Sequence, residues 1–192
     1  MAERRSALAQ LPASTLAKAV VRLSEIRPGS ILQVSAWPDT LAAVEAVITD
    51  LLGVQAPTVG MALADPNLTV AAISPGRFLI SGMAPDFAAR FEAALPSEDG
   101  AVTDLSHGRA ILRLDGEAEA LLATAVAIDL DPSVFPPGRV AQTMVHHIDI
   151  VLHRLAKGRF DVWVLRGFAE SLTEWLLDAG AEIGVAFEHR PR

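Results

Sequence analysis

The chain has 192 residues, 51% of them apolar, with a formal net charge of −7 and no cysteine. That length and apolar content suit one domain, or two small ones sharing a core. The acidic balance argues against nucleic acid as a partner, because phosphate binding needs clustered Lys and Arg; the lack of cysteine excludes disulfides, thiolate metal sites and cysteine nucleophiles.

Residues 1–27 are Ala-rich, with Arg4, Arg5, Lys18, Arg22 and Arg27 scattered among them. No continuous apolar block follows Arg4 and Arg5, so a secretory signal is not expected. No apolar run approaches the ~20 residues of a membrane span, so a membrane partner is not expected either. A cytoplasmic location fits both. Leu16, Val20 and Leu23 are spaced like one helical face, and Pro28-Gly29 stops the segment. Residues 1–27 therefore read as an N-terminal arm, either a docking tail or a helix packed on the body.

Ser30–Ala36 alternates like a half-buried strand. Pro38 stands where a helix can start, and Asp39 suits the positive end of its dipole. Leu41, Val44, Ile48, Leu51 and Leu52 form that helix's apolar stripe, and Gly53 ends it. Val54–Leu63 reads as a strand, Asp65-Pro66-Asn67 as a turn, and Thr69–Ile73 and Arg77–Ser81 as strands around Ser74-Pro75-Gly76. Pro85 opens a second helix with Phe87, Phe91 and Leu95 in line; Ala101–Leu105 is a strand. The second half repeats the order. Arg109–Leu114 is a strand, Glu117–Val126 a short helix, and Val134–Gly138 a Pro-rich turn. Val140–Val145, Ile148–Leu155 and Phe160–Leu165 are strands. Phe168, Leu172, Trp175 and Leu176 face inward from a last helix, and Ile183–Phe187 adds a strand. The expected fold is α+β, built as duplicated ferredoxin-like βαββαβ halves over residues 28–106 and 107–192.

Candidate chemistry is sparse. Adjacent residues on a strand point to opposite faces, so His146 and His147 cannot both hold one metal from a regular strand. His147, Asp149 and His153 are in phase, and a His-x-Asp pair either orients an imidazole or forms a solvated sheet edge. Asp104, Ser106 and His107 lie too close in sequence for a hydrolytic triad, since their side chains diverge. They read as a strand ending in a tight turn, with Asp104 and Ser106 bonding to nearby backbone. No dinucleotide or phosphate-loop fingerprint occurs. Arg139 begins a strand after Pro136-Pro137-Gly138. Trp163 alternates with Val162 and Val164, on a sheet face covered by a helix or by a partner. The surplus of apolar residues means either a well-filled Ala-rich core or an apolar interface. No catalytic residue and no metal ligand set is assigned.

Five phrases carry a family resemblance: SILQVSAWPDTLAAVEA from Ser30, SPGRFLISG from Ser74, AVTDLSHGRAILRLDG from Ala101, FPPGRVAQTMVHHIDIVLHR from Phe135 and FDVWVLRGFAESLTEWLLDAG from Phe160. In that order and spacing the chain resembles the gamma subunit of heterotetrameric sarcosine oxidase. This family is in turn similar to the folate-binding aminomethyltransferase of glycine cleavage, whose early module the second half resembles. The resemblance implies an aminomethyltransferase-like, folate-binding-like fold. It implies an accessory chain in an oxidoreductase complex with alpha, beta and delta subunits. Such a complex oxidatively demethylates sarcosine to glycine and passes the one-carbon unit to tetrahydrofolate. FAD, FMN and NAD belong to the partner subunits by the same resemblance. Where the aminomethyltransferase has a longer hairpin before its catalytic aspartate, VAQTMVHHIDIVLHRL here passes between strands with almost no loop, and Asp149 is the only acid near that position. No cofactor is assigned to this chain alone. Tetrahydrofolate stays open, with Asp149 and Arg139 as candidate contacts.

Three functional readings follow. The first is the gamma subunit itself, with Trp163 as candidate interface anchor, since interface energy concentrates in aromatic residues. It carries an expectation of self-association when the chain is expressed alone. The second is a free-standing folate-binding or aminomethyltransferase-like protein. The third is the small subunit of a related N-methyl amino-acid dehydrogenase.

Overall fold

The structure, a computed structural model, describes residues 5–14 and 19–190. It divides into two compact units: Pro28–Ser106, and a second that joins the residues before Pro28 to those after Ser106. In chain order the elements are β1 (Val21–Ile26), β2 (Ser30–Ala36), α1 (Leu41–Leu52), β3 (Ala62–Ala64), β4 (Leu68–Ser74), β5 (Arg77–Gly82), α2 (Phe87–Ala94) and β6 (Gly100–Asp104). They continue as β7 (Arg109–Gly116), α3 (Ala118–Ala123), β8 (Val140–Val145), β9 (Ile148–Ala156), β10 (Arg159–Leu165), a 3₁₀ turn (Arg166–Phe168), α4 (Ala169–Ala179) and β11 (Val185–Glu188).

The Pro28–Ser106 unit is a five-stranded antiparallel sheet in the order β3-β4-β5-β2-β6. With the short edge strand β3 set aside, it has the βαββαβ order of a ferredoxin-like fold. Alternation turns Leu32, Val34, Val70, Ala72, Phe78 and Ile80 to one face, where Val44 and Ile48 of α1 and Phe91 of α2 pack on them. Gly53 ends α1 in the left-handed conformation (φ 68), its N–H bonded to the Thr49 carbonyl at 2.8 Å.

Two expectations in this unit are corrected. The helix starts at Leu41, three residues after Pro38, because residues 37–40 form a pinned turn. Thr40 Oγ1 donates to the Trp37 carbonyl at 3.0 Å, the Trp37 indole N–H donates to the Ser97 carbonyl at 2.8 Å, and Asp39 takes a positive φ of 70. The expected strand over Val54–Leu63 shrinks to Ala62–Ala64. Pro57 has no N–H for a ladder, and Gly60 turns the chain at φ 81. The Asp65 turn forms as expected, its carboxylate accepting from the N–H groups of Asn67 (2.7 Å) and Leu68 (2.9 Å).

The second unit is a six-stranded sheet in the order β11-β1-β7-β10-β9-β8. Its β7, α3, β9, β10, α4 and β11 repeat the ferredoxin-like order, with β8 as an added edge hairpin strand. β1 is inserted between β11, to which it is parallel, and β7, to which it is antiparallel. The core face carries Leu23, Leu112, Leu114, Leu152, Phe160 and Val162 against Ala118, Leu121 and Leu122 of α3 and Ala169, Leu172 and Leu176 of α4.

β1 corrects the helical reading of the N-terminal segment. Val21 and Leu23 are both fully buried at strand spacing, and the apolar positions there fit either period. Leu16, the third member of the expected helical face, lies outside the described residues. Residues 5–14 pack on the body without forming a helix. Leu8 and Leu11 join the core, Glu25 accepts the Ala7 N–H at 2.9 Å, and Ser14 exchanges hydrogen bonds with the Phe187 backbone at 3.0 and 2.6 Å. Phe168 also departs from its expected inward face and is 51% exposed. It belongs to the 3₁₀ turn, whose three-residue period puts it out of phase with the α4 stripe.

Candidate functional site

The stretch with most of the sequence's candidate residues is the β8–β9 hairpin. Its loop is two residues long, His146 and His147, between the paired Val145 and Ile148. His146 alone of the two has positive φ (54), which fits a type II′ turn. The two imidazoles are therefore turn residues and not strand neighbours on opposite faces. Their ring centroids lie 3.9 Å apart, and His146 stacks 6.0 Å from Trp175. His147 leaves the strand, so strand phase does not couple it to Asp149.

Asp149 is exposed on β9 opposite Met144. It lines a shallow cleft of about 420 Å³ with Arg109, Gln142, Met144 and Leu165. Burial pushes the Arg109 guanidinium below its usual range. Arg139 lies at the other end of the hairpin, exposed, and its carbonyl accepts the Arg154 N–H at 3.0 Å. Asp149 stands opposite Met144, five steps along the chain from Arg139, about 17 Å at ~3.4 Å per step, and alternation places them on opposite faces. These two residues do not converge on one ligand, so they do not by themselves make a site that fits a folate.

Sequence reasoning missed a buried polar row. The registers of β9, β10 and β7 set His153 opposite Asp161 and Asp161 opposite Arg113. Arg113 grips both Asp161 oxygens, Nε at 2.7 Å and an amino group at 2.8 Å. Burial would lower the Arg113 guanidinium, but the hydrogen-bonded charge of Asp161 outweighs it and holds the group above its usual value. His153 is 1% exposed and pushed down, first by burial and then by the Arg113 charge, against an opposing pull from Asp161. Arg113 holds Asp161 through both oxygens, and the buried His153 Nδ1 has no hydrogen-bond partner among the described residues, so the row is an ion pair beside a neutral imidazole and not a hydrogen-bonded acid–base dyad. Only cross-strand register brings these residues together, and no local spacing signals it.

Arg154 is a second buried cation, 1% exposed. It donates to the carbonyls of Leu130 (2.9 Å) and Phe135 (3.0 Å) and pairs with Glu119, tying α3 and the 130–135 segment to β9. The Asp104–Ser106 cluster is structural: Asp104 bonds to nearby backbone as expected, whereas Ser106 reaches Ile31, 75 residues away in sequence. Ser106 Oγ accepts the Ile31 N–H at 2.9 Å, and Asp104 accepts the Ser106 N–H at 2.8 Å. His107 is exposed. Trp163 is 1% exposed, on the sheet face with Ile111 and Val151. Its indole is inaccessible, which withdraws it as a surface anchor. Among the described residues no cluster of three His, Asp or Glu could hold a metal, and no helix is long and apolar enough to cross a membrane.

The model of the Sarcosine oxidase, gamma subunit family matches residues 37–182. This chain belongs to that family. The gamma subunit of sarcosine oxidase from Corynebacterium sp. (strain U-96) is 31% identical over 95% of this chain and 93% of its own length. The gamma subunit from Corynebacterium sp. (strain P-1) is 32% identical over 91% and 87%. A chain of the heterotetrameric sarcosine oxidase of Corynebacterium sp. U-96, solved with pyrrole 2-carboxylate, superposes with a TM-score of 0.82 at 30% identity, covering 94% of this chain and 96% of that one. The glycine cleavage aminomethyltransferase T of Bartonella henselae shares the fold at 18% identity, with a TM-score of 0.65 over 88% of this chain and 48% of that one. The resemblance read from the five phrases is thus met at the level of family and of fold. So is the assignment to an accessory chain of an oxidoreductase complex.

Proposed function

We propose that this chain is the gamma subunit of a cytoplasmic heterotetramer that oxidatively demethylates sarcosine to glycine and delivers the one-carbon unit to tetrahydrofolate. Its partners are the alpha, beta and delta subunits. FAD, FMN and NAD reside on those partners, and the contribution of this chain is its shape and surface. The observation that carries this reading is the near full-length superposition on a chain of a heterotetrameric sarcosine oxidase, 94% of one chain on 96% of the other. The separation of Asp149 from Arg139 across the β8–β9 hairpin supports it, because it leaves the chain without a convergent pair of candidate folate contacts.

Co-expression with the products of its neighbouring genes is the direct test. The expected outcome is a stable complex that contains this chain and turns over sarcosine. If the other chains assemble and work while this one purifies alone, the reading fails. Calorimetric titration of the isolated chain with a reduced folate separates the alternative. Heat and a thermal shift that disappear in Asp149→Asn would favour a free-standing folate-binding protein; neither signal is expected.

A further inference from the structure

A surface groove of the second unit lies away from the hairpin. It runs between α3, the 129–132 segment and the β9–β10 turn, and measures about 780 Å³. α3 turns Ala118, Leu121 and Leu122 to the core and leaves Ala120 and Ala123 exposed. With Leu130 and Pro132 opposite, these small apolar side chains make the walls. An exposed helix face is ordinarily polar, and this one is not.

The rim is charged with one sign in excess. Glu117, Asp129 and Asp131 stand around the groove, and none of them makes an ion pair among the described residues. Glu119 is committed to Arg154, whose charge also reaches Asp131, which leaves Lys157 as the one exposed cation of the groove against the carboxylates of Glu117, Asp129 and Asp131. The walls are held in place. Arg154 fixes the Leu130 carbonyl, Glu119 accepts the Gly158 N–H at 2.9 Å, and Asp129 accepts the Asp131 N–H at 2.9 Å. A groove held this way costs little ordering when something binds.

We infer that this groove seats a segment of a partner subunit that carries apolar side chains flanked by Lys or Arg. The inference rests on the gamma-subunit reading, which supplies the partners. Charge complementarity selects the occupant. Three carboxylates repel an acidic segment or an anionic ligand and steer a basic one, while the small-residue walls admit its apolar side chains.

The test uses the co-expressed complex and two variants of this chain. Ala123→Trp fills the groove from an exposed position, and the double variant Glu117→Lys with Asp129→Lys inverts the rim without touching the core. Each variant chain is first checked alone for wild-type circular dichroism and melting temperature. Retention of the chain in the purified complex is then followed through a salt titration. Association at least about tenfold weaker than wild type is expected for both variants, and in the charge-inverted one the salt dependence should reverse, because salt then screens a repulsion. Wild-type retention of the folded charge-inverted variant overturns the inference. So does a loss of self-association with retention in the complex unchanged, which would give the groove to a second copy of this chain. If the wild-type chain itself does not copurify, it is the gamma-subunit reading that falls.

Discussion

Burial makes His153 a neutral imidazole held between the Asp161–Arg113 pair and the apolar part of its sheet face. Its ordinary value is 6.5, and the fold depresses it. The unfolded chain therefore takes up the proton more readily than the folded one, and stability falls as pH drops below that ordinary value. Above it the imidazole is neutral in both states and contributes no pH dependence. Thermal unfolding followed between pH 7 and pH 5 should show a smaller loss of melting temperature in His153→Gln than in wild type; parallel curves would contradict this. Asp104 could be read locally because its partner, the Ser106 N–H, lies two residues away; the Ile31 partner of the Ser106 hydroxyl is 75 residues distant and was not legible. His153, Asp161 and Arg113 are 8 and 48 residues apart in sequence, and nothing but strand register announces their contact.

At the scale of elements, the junction from β7 into α3 depends on Gly116. Its φ is +115, and a Cβ there would lie 2.0 Å from the Val20 carbonyl oxygen. That oxygen accepts the Glu117 N–H at 3.1 Å, so it is fixed from the other side. Gly116→Ala should destabilise the chain by about 2 kcal/mol or more, since it combines a disfavoured backbone conformation with a clash on backbone that cannot yield. Urea denaturation of the two proteins measures this; equal midpoints would show that β1 can shift. Helices and hairpins were the legible elements. The Val44–Ile48 spacing marks α1, and the near absence of residues between Val145 and Ile148 marks the tight β8–β9 turn. The strand β1 was not legible, because Val20 and Leu23 keep a helical spacing while Val21 and Leu23 keep a strand one, and the sequence alone does not choose between them. Its identity comes from the two strands that flank it.

For the whole molecule, β1 changes what residues 1–27 do. The strand lies between β11 and β7 inside the sheet, and Leu8 and Leu11 fill its core. Deleting residues 1–27 removes an interior strand and leaves two unpaired edges, so the truncated chain should express as aggregate or lose its cooperative melt. A truncated chain that melts like the full-length one would restore the reading as a docking tail. The sequence by itself determined the family, the α+β class, the duplicated element order and the lack of thiolate chemistry. Those properties rest on composition, local periodicity and phrases that survive in a linear string. The tertiary structure alone decided that the N-terminal segment completes the second unit's sheet, that Trp163 is buried, and that Asp149 and Arg139 stand apart. It also decided that an acid-rimmed groove lies beside α3. Each of these depends on which strands pair and in what register, and burial, charge pairing and surface shape all follow from contacts between residues distant in the chain.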